Sequence, residues 1–203
     1  MKNSIMTLLA VAFLVSCNKK ETTPNDTSMD STASPEMVDT TGMVGDSESV
    51  SSTATSSSAL SDKDKMFVDA AAKGGMMEVM MGELAANNAS NPTVKSLGMM
   101  IAQDHKKAND ELKAWATSVN YMLPTSMDAD QQKKHDELKA KKGADFDKAY
   151  TMMMVEDHKK DVAAFKKEAS EGSDASVKGF AEKTLPTLEN HLKESEKAWA
   201  AVK

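Results

Sequence analysis

Residues 62–86, DKDKMFVDAAAKGGMMEVMMGELAA, decide the fold. Small or apolar side chains return along this stretch after four residues and then three, which is the spacing of one inward-facing stripe on a packed α-helix. The stripe consists of Phe67, Ala71, Gly74, Glu78, Met81 and Ala85. Glu78 is its one charged member, and an isolated buried carboxylate is costly. The stretch therefore predicts a helix that packs in a bundle and holds a carboxyl group in need of a partner.

The same spacing recurs in three later segments, at about 92–119, 144–170 and from 174 to the end. Between the second and third, the strongly charged residues 128–141 predict a short surface helix. Pro186, inside the last segment, predicts a kink one turn before it. The pattern predicts an all-α fold, an antiparallel four-helix bundle over residues 61–203 with a short extra helix in its long connection. The three stripes are Val94, Leu97, Ile101, His105, Ala108, Leu112 and Trp115; then Phe146, Tyr150, Met154, His158, Val162, Phe165 and Ala169; then Val177, Ala181, Thr184, Leu188, His191, Ser195, Ala198 and Val202.

Three of the four histidines and Glu78 therefore lie on the apolar stripes of four different helices. Three imidazoles and one carboxylate suit zinc, copper or iron, so one hypothesis is a buried mononuclear metal site. In the alternative, each polar group is satisfied separately, by backbone or by aspartates such as Asp104 and Asp157. Counted from the turn near residue 172, His158 and His191 differ in height by roughly 7 Å, more than a shared metal ion tolerates unless the helices are offset. His135 lies on the charged connection and is assigned no role.

Twelve of the 17 methionines lie in the predicted bundle, several in adjacent pairs. Thioethers suit Cu(I), but methionine is also a favoured filler of helical cores. We expect the adjacent methionines to place one side chain inward and one sideways, as core packing requires.

Residues 1–16 have the charge and apolar run of a secretion signal, too short to span a bilayer as a mature helix. The run ends Leu14-Val15-Ser16-Cys17, which resembles a bacterial lipobox. The resemblance implies a lipoprotein anchored to a membrane by a palmitate-type lipid on Cys17. By resemblance to lipoprotein sorting rules, Asn18 favours the outer membrane. Lys19-Lys20-Glu21 could instead act as a surface-export signal, so the sequence leaves open whether the protein faces the periplasm or the cell exterior.

Residues 17–60 are rich in serine and threonine, carry seven acidic residues against two lysines and keep no apolar period. We expect a disordered tether that leaves the chemistry to residues 61–203. The whole chain contains no arginine and has a net charge of −6, which argues against a nucleic-acid partner.

No catalytic arrangement emerges from the sequence. The body has no cysteine, no glycine-rich phosphate loop and no nucleophile elbow. A di-iron centre of ferritin-like bundles needs a carboxylate three residues before a histidine on two helices. The corresponding positions are Ala102, Val155 and Leu188, which argues against a di-iron oxidase.

From residue 62 onward, the motifs resemble the family called domain of unknown function 4142, whose members are often described as outer-membrane or periplasmic proteins. The matching residues are Phe67, Gly74-Gly75-Met76-Met77-Glu78, Asp104-His105, Gly143, Phe146-Asp147, Tyr150, His158, Leu185-Pro186 and His191. The resemblance implies a ferritin-like bundle in the cell envelope and brings no established activity. It also implies that Glu78, Asp104, His105, His158 and His191 are the family's recurring polar positions.

Two functional interpretations follow. The first is a non-enzymatic envelope lipoprotein that acts in binding, envelope maintenance or stress response, with an unknown protein partner. The alternative is a metal-binding bundle that uses Glu78 and the three histidines, with one transition-metal ion as its cofactor.

Overall fold

The computed structural model describes residues 60–203, which form five α-helices and no strand. They are α1 (Asp62–Asn88), α2 (Pro92–Ser118), α3 (Ala129–Lys139), α4 (Gly143–Glu171) and α5 (Ala175–Val202). The signal, the lipid-bearing cysteine and the tether expected before residue 60 lie outside the described part. Within that part, none of the helices combines the length and the apolarity that a bilayer crossing requires.

The four long helices form two hairpins, α1–α2 and α4–α5, each closed by a three-residue turn. α1 packs against α2 and α4, and α5 packs against α4 and α2, so every long helix has two long neighbours. The short helix α3 lies in the connection between the hairpins and contacts α1 and α4. This is the four-helix bundle with a short extra helix that the sequence predicts, and the fold prediction is confirmed.

The helix ends follow the capping chemistry of the sequence. The side chains of Ser61, Asn91, Asp128 and Asp174 each accept a hydrogen bond from a backbone N–H in the first turn of the helix that follows. Pro92 occupies the first turn of α2. Backbone N–H groups in the first turn have no acceptor within the helix, so the lack of an N–H in proline costs no helical hydrogen bond there. α5 continues without interruption through Pro186.

Two buried aspartates join the hairpins end to end. Asp147 of α4 accepts hydrogen bonds at 2.9 Å from the backbone N–H groups of Ser90 and Asn91 in the α1–α2 turn. Asp64 of α1 accepts the equivalent bonds, at 3.0 and 3.2 Å, from Ser173 and Asp174 in the α4–α5 turn. Each hairpin thus holds the turn of the other, and neighbouring long helices run antiparallel.

The reciprocal contacts reflect an internal repeat. Asp64 and Asp147 are 83 residues apart, as are the turn residues Asn91 and Asp174. Glu78 and Asp161 are separated by the same interval, so they occupy equivalent places in the two hairpins. Reciprocal contacts of this kind are what an approximate twofold axis between the hairpins produces.

The core contains most of the predicted stripes, with small shifts at the ends of α2 and α4 and a larger adjustment at the start of α1. Met81, Ala85, Ile101, Phe146, Tyr150, Met154, Val177, Leu188 and Ala198 are all fully or almost fully buried. At the start of α1, however, Val68, Ala72 and Gly75 are buried, and Phe67 and Ala71 are only partly so. The buried face is turned there by one residue because α1 packs against both α2 and α4.

The methionines pack as expected. Met77, Met81 and Met154 are buried in the core, whereas Met80, next to Met81, and Met152, two residues before Met154, are exposed. Of the other pair, Met99 is exposed and Met100 packs against the core from the side.

Close contact between α1 and α2 depends on two glycines. A Cβ atom on Gly82 would lie 2.6 Å from the carbonyl oxygen of Gly98, and a Cβ on Gly98 would lie 2.7 Å from that of Gly82. Any larger residue would push the helices apart. Gly82 is one turn beyond Glu78, so this approach also sets the distance from Glu78 to α2.

Candidate metal centre

The four polar residues of the stripes meet in the middle of the bundle. Glu78 comes from α1, His105 from α2, His158 from α4 and His191 from α5, and all four are buried. One ring nitrogen from each of the three histidines lies within 4.8 Å of the others. The sequence could place these residues on four inward faces, and the structure brings them to one level.

The expected height difference of about 7 Å between His158 and His191 is wrong. Their rings are instead in contact, with centroids 5.1 Å apart. Measured from the helix ends at Glu171 and Ala175, His158 and His191 differ by three residues, or ~4.5 Å of rise. Cα–Cβ bonds lean toward the N-terminus of a helix. In the antiparallel helices α4 and α5, the side chains of His158 and His191 therefore lean toward each other and close the remaining difference in height.

The outer nitrogens of two histidines are occupied by hydrogen-bond acceptors. Nδ1 of His158 lies 2.9 Å from the backbone carbonyl oxygen of Met154, one turn earlier in α4. Nε2 of His191 lies 2.9 Å from Oδ2 of Asp104, on α2. A carbonyl or carboxylate oxygen only accepts, so each of these nitrogens carries the ring hydrogen. One alternative from the sequence was that each buried polar group has its own hydrogen-bond partner. That alternative holds only for the outer nitrogens of His158 and His191.

The inner nitrogens face each other. Nε2 of His158 and Nδ1 of His191 are 3.2 Å apart, and in the neutral rings both present a lone pair. Burial lowers the pKa of His158 to about 4, with a further contribution from His191. Burial also lowers the pKa of His191, although Asp104 opposes that shift. Two neutral imidazoles with opposed lone pairs repel unless a proton or a cation joins them.

Glu78 and His105 complete the cluster. Oε2 of Glu78 is 3.0 Å from Nε2 of His105, but the two groups are not aligned for a hydrogen bond. Oε1 of Glu78 is 3.5 Å from Nε2 of His158. Among the residues that the structure describes, neither Oε1 of Glu78 nor Nε2 of His105 has a hydrogen-bond partner. Burial, followed by the charges of His158 and His191, holds the pKa of His105 well below its ordinary value.

The structure adds Asp161, a residue that the sequence analysis did not single out. It follows His158 by three residues on α4 and lines the same small cavity as Glu78 and His105. Burial, then the charges of Asp161 and Asp157, raises the pKa of Glu78 well above its usual range. Burial and Asp157 raise the pKa of Asp161 to about 7.

A small cavity adjoins these groups. Its volume is about 70 Å³, and Glu78, His105 and Asp161 line it beside Gly74, Gly75 and Ala108. Space of this size holds a few water molecules or a small ligand. The small residues around it leave the carboxyl groups and His105 accessible from one side.

The remaining histidine is separate from the cluster. His135 lies on α3, where Nδ1 is 3.0 Å from the neighbouring Asp136 carboxylate. It plays no part in the centre, as the sequence analysis expected.

Comparison with known families and structures supports the fold. The model of the family described as domain of unknown function (DUF4142) matches residues 49–198. No curated protein matches the sequence.

Solved structures of similar fold are distant in sequence. A DUF305 fragment from Deinococcus radiodurans is 11% identical with a TM-score of 0.62, and the match covers 70% of this chain and 98% of that one. CopM in a Cu(II)-bound form is 17% identical with a TM-score of 0.58, covering 68% and 96%. CopM in an Ag-bound form is 18% identical with a TM-score of 0.56, with the same coverage. At these identities the similarity is one of fold.

Proposed function

The chain belongs to the DUF4142 family, and we propose that its bundle binds transition-metal ions, copper foremost, through His105, His158, His191 and Glu78. One observation carries the proposal. The inner nitrogens of His158 and His191 are 3.2 Å apart, and their outer nitrogens lie 2.9 Å from acceptor oxygens of Met154 and Asp104, which leaves the inner nitrogens as lone-pair donors in the neutral rings. Outer hydrogen bonds of this kind orient histidine ligands in metal sites.

The spacing fits a shared ion. Two nitrogens bound to one tetrahedral ion at ~2.05 Å are ~3.3 Å apart, close to the distance between His158 and His191. His105 and Glu78 stand beside this pair and supply a third nitrogen and a carboxylate. Removal of the proton from Glu78 would turn a neutral carboxylic acid into a ligand, so binding would release protons.

The donor set supports copper. Imidazole suits copper and zinc alike, and the general affinity order of divalent first-row metals places Cu(II) highest. The similarity in fold to CopM, which has been seen with Cu(II) and with silver, supports the same choice. Zinc is the principal competitor, because three nitrogens and one oxygen also suit a tetrahedral site.

A binding role agrees with the surroundings of the centre. Its ligands are at most 7% exposed, and the adjoining cavity of about 70 Å³ admits only a small molecule. The protein would therefore hold or buffer metal, a non-enzymatic task.

A metal titration of the full chain tests the proposal. We expect Cu(II) to bind tightly in competition with a chelator of known affinity. His158→Gln should weaken binding at least tenfold, because it removes a buried donor. The matched control His135→Gln, in the remaining histidine, should leave the affinity unchanged. Equal affinity in the wild-type protein and His158→Gln contradicts the proposal.

We propose further that the bundle is held at a membrane of the cell envelope, most simply the outer membrane, by a lipid on Cys17. The support is the sequence Leu14-Val15-Ser16-Cys17 after the apolar leader. Metabolic labelling with a palmitate analogue should mark the wild-type protein and not Cys17→Ala. A protein that fractionates with membranes equally well after this substitution would contradict the anchor.

A further inference from the structure

The small cavity beside the centre borders two larger cavities on the surface of the bundle. One, of about 430 Å³, lies between α1, α2 and the connection after α2, where Leu112 and Tyr121 line it. The other, of about 510 Å³, has Met80 of α1 and Met127 of the same connection among its lining residues. Asn109 of α2 is the one residue that lines all three cavities. Its side chain therefore stands between the surface and the small cavity.

Asn109 fills a gap between α1 and α2. It lies one turn after His105 on α2 and opposite Gly75, which precedes Glu78 by three residues on α1. A Cβ atom on Gly75 would lie 2.1 Å from Oδ1 of Asn109, and its three nearest neighbours would all be atoms of this amide group. The amide thus lies directly against the backbone of α1, at a position where α1 has no side chain.

This contact differs from the glycine contact further along the same two helices. A Cβ on Gly82 would first meet backbone atoms of Gly98 and Ala102, so nothing there can move aside without moving a helix. At Gly75 the nearest obstacle is a side chain alone. Asn109 is half-buried, and a partly exposed side chain changes rotamer rapidly without any movement of the backbone. The gap between the helices can therefore open while the bundle keeps its shape.

The outer cavity of about 510 Å³ carries groups that attract a metal ion. Glu83 and Asp110 provide two carboxylates against the single ammonium group of Lys106, and three methionines provide thioethers. Carboxylates favour hard cations, and thioethers favour Cu(I). A metal ion would meet favourable charge and weak ligands on this side before it reaches Asn109.

A rival approach to the centre lies between α2 and α5. A surface cavity of about 100 Å³ on that side shares Ala108 and Thr184 with the small cavity. Two of its lining residues, Glu111 of α2 and Lys183 of α5, form an ion pair at 2.7 Å. The pair joins the two helices across this cavity, so a wider opening there would require the pair to break.

We propose that metal ions enter and leave the centre between α1 and α2, and that Asn109 is the gate. Its amide closes the passage in the structure and swings aside when an ion passes. The inference rests on the proposed metal binding and adds the route by which the site is filled. Because Asn109 is not a ligand of the bound ion, it sets the rates of binding and release and leaves the affinity unchanged.

The experiment measures exchange of Cu(II) on the full chain. Stopped-flow transfer of Cu(II) from the loaded protein to an excess of a chromophoric chelator gives the release rate. Competition with a chelator gives the dissociation constant, and the two together give the association rate. Asn109→Ala removes the amide and should make release and association each about five- to tenfold faster at an unchanged dissociation constant. Asn109→Leu, which has a side chain of the same branched shape, should keep the slow rates of the wild type.

Two control variants locate the effect. Asn190→Ala removes the same chemical group from the exposed face of α5, where the amide nitrogen lies 3.8 Å from Sδ of Met100. Thr184→Ala enlarges the rival approach between α2 and α5. Neither substitution should change the rates.

The outcomes separate this inference from the proposed function. Equal rates in the wild type and Asn109→Ala overturn the gate and leave metal binding standing. Faster exchange in Thr184→Ala alone also overturns it, because ions would then pass between α2 and α5. Weaker affinity in Asn109→Ala at an unchanged association rate overturns it as well, because Asn109 would then stabilise the bound state.

Failure of the wild type to bind Cu(II) overturns both the gate and the proposed function. If Asn109→Ala does not fold by circular dichroism, Asn109→Ser also shortens the side chain and is judged by the same outcomes.

Discussion

Nε2 of His158 and Nδ1 of His191 lie 3.2 Å apart, and neither nitrogen carries the hydrogen of its own neutral ring. The arrangement comes from two hydrogen bonds on the far sides of the rings, to the carbonyl oxygen of Met154 and to Asp104. The bundle thus holds two buried lone pairs against each other. A cation bound between the two nitrogens would remove that repulsion, which is the physical basis of the proposed metal site.

Asp104 orients His191 and should affect metal binding without being a ligand. Asp104→Ala removes the acceptor that fixes the ring hydrogen on Nε2, so we expect a loss in metal affinity of about 10- to 100-fold. A chelator competition assay measures it. Asp136→Ala is the matched control, because Asp136 pairs with His135 at 3.0 Å outside the centre. An equal effect of the two substitutions would contradict the role of Asp104.

Gly82 sets the approach of α1 to α2. A Cβ at this position would meet backbone atoms of Gly98 and Ala102 at 2.6 and 2.9 Å, and backbone cannot move aside as a flexible side chain can. We expect Gly82→Ala to lower the free energy of unfolding by about 1–3 kcal/mol, measured by urea denaturation.

The control for that substitution is Gly179→Ala in α5. A Cβ there has no described atom outside its own helix within 4 Å. Alanine should therefore stabilise the protein by about 0.5–1 kcal/mol, because glycine is costly in the middle of a helix. Loss of stability in both variants would show that close contact with α2 is not the cause.

Asp147 joins the hairpins through the α1–α2 turn. Asp147→Ala leaves the N–H groups of Ser90 and Asn91 without their acceptor, and it also removes the bond from the Ser90 hydroxyl. We expect the free energy of unfolding to fall by about 2–4 kcal/mol, since bonds to a buried charge are strong. Asp145→Ala, on the exposed side of the same turn of α4, should change it by no more than about 0.5 kcal/mol.

Glu168 should make stability depend on pH. Burial, then its hydrogen bond with Asp64 and the charge of Asp64, raises the pKa of Glu168 to about 7 from an ordinary 4.5, whereas Lys178 opposes the rise. Between about pH 4.5 and pH 7, Glu168 therefore binds more protons in the folded protein than in the unfolded chain. The contribution of Glu168 to stability is fully present below pH 4.5 and is lost as the pH rises through 7.

Glu168→Gln isolates this effect because glutamine does not ionise. Relative to the wild type, the variant should gain about 1–3 kcal/mol in free energy of unfolding between pH 4.5 and pH 8. Urea denaturation at several pH values measures the difference. Glu171→Gln, exposed at the end of α4, should show no such trend. A wild-type–variant difference that is constant with pH would contradict the raised pKa.

The sequence predicted the helices and most of the core because each long helix repeats its apolar spacing over about five to seven turns. It also placed Glu78, His105, His158 and His191 on the inner faces. It could not place them at one level, because counting residues from a turn ignores the direction in which side chains lean on antiparallel helices. His158 and His191 meet for that reason.

The structural roles of three acidic residues were missed for related reasons. Asp161 lies three residues after His158, whereas the di-iron pattern directs attention to the residue three before a histidine. Asp64 and Asp147 lie near helix N-termini, where acidic residues commonly face solvent and favour the helix dipole. The interval of 83 residues that relates these positions was the available signal, and it becomes meaningful only when the two hairpins are seen to hold each other's turns.

The most direct measurement is a nitrogen-15 NMR spectrum of the histidine rings in the full chain, recorded before and during a Zn(II) titration. Before zinc, the account predicts the ring hydrogen on Nδ1 of His158 and on Nε2 of His191. On addition of zinc, Nε2 of His158 and Nδ1 of His191 should shift as metal-bound nitrogens, with both hydrogens retained. Ring hydrogens on those inner nitrogens, or zinc-induced shifts confined to His135, would contradict it.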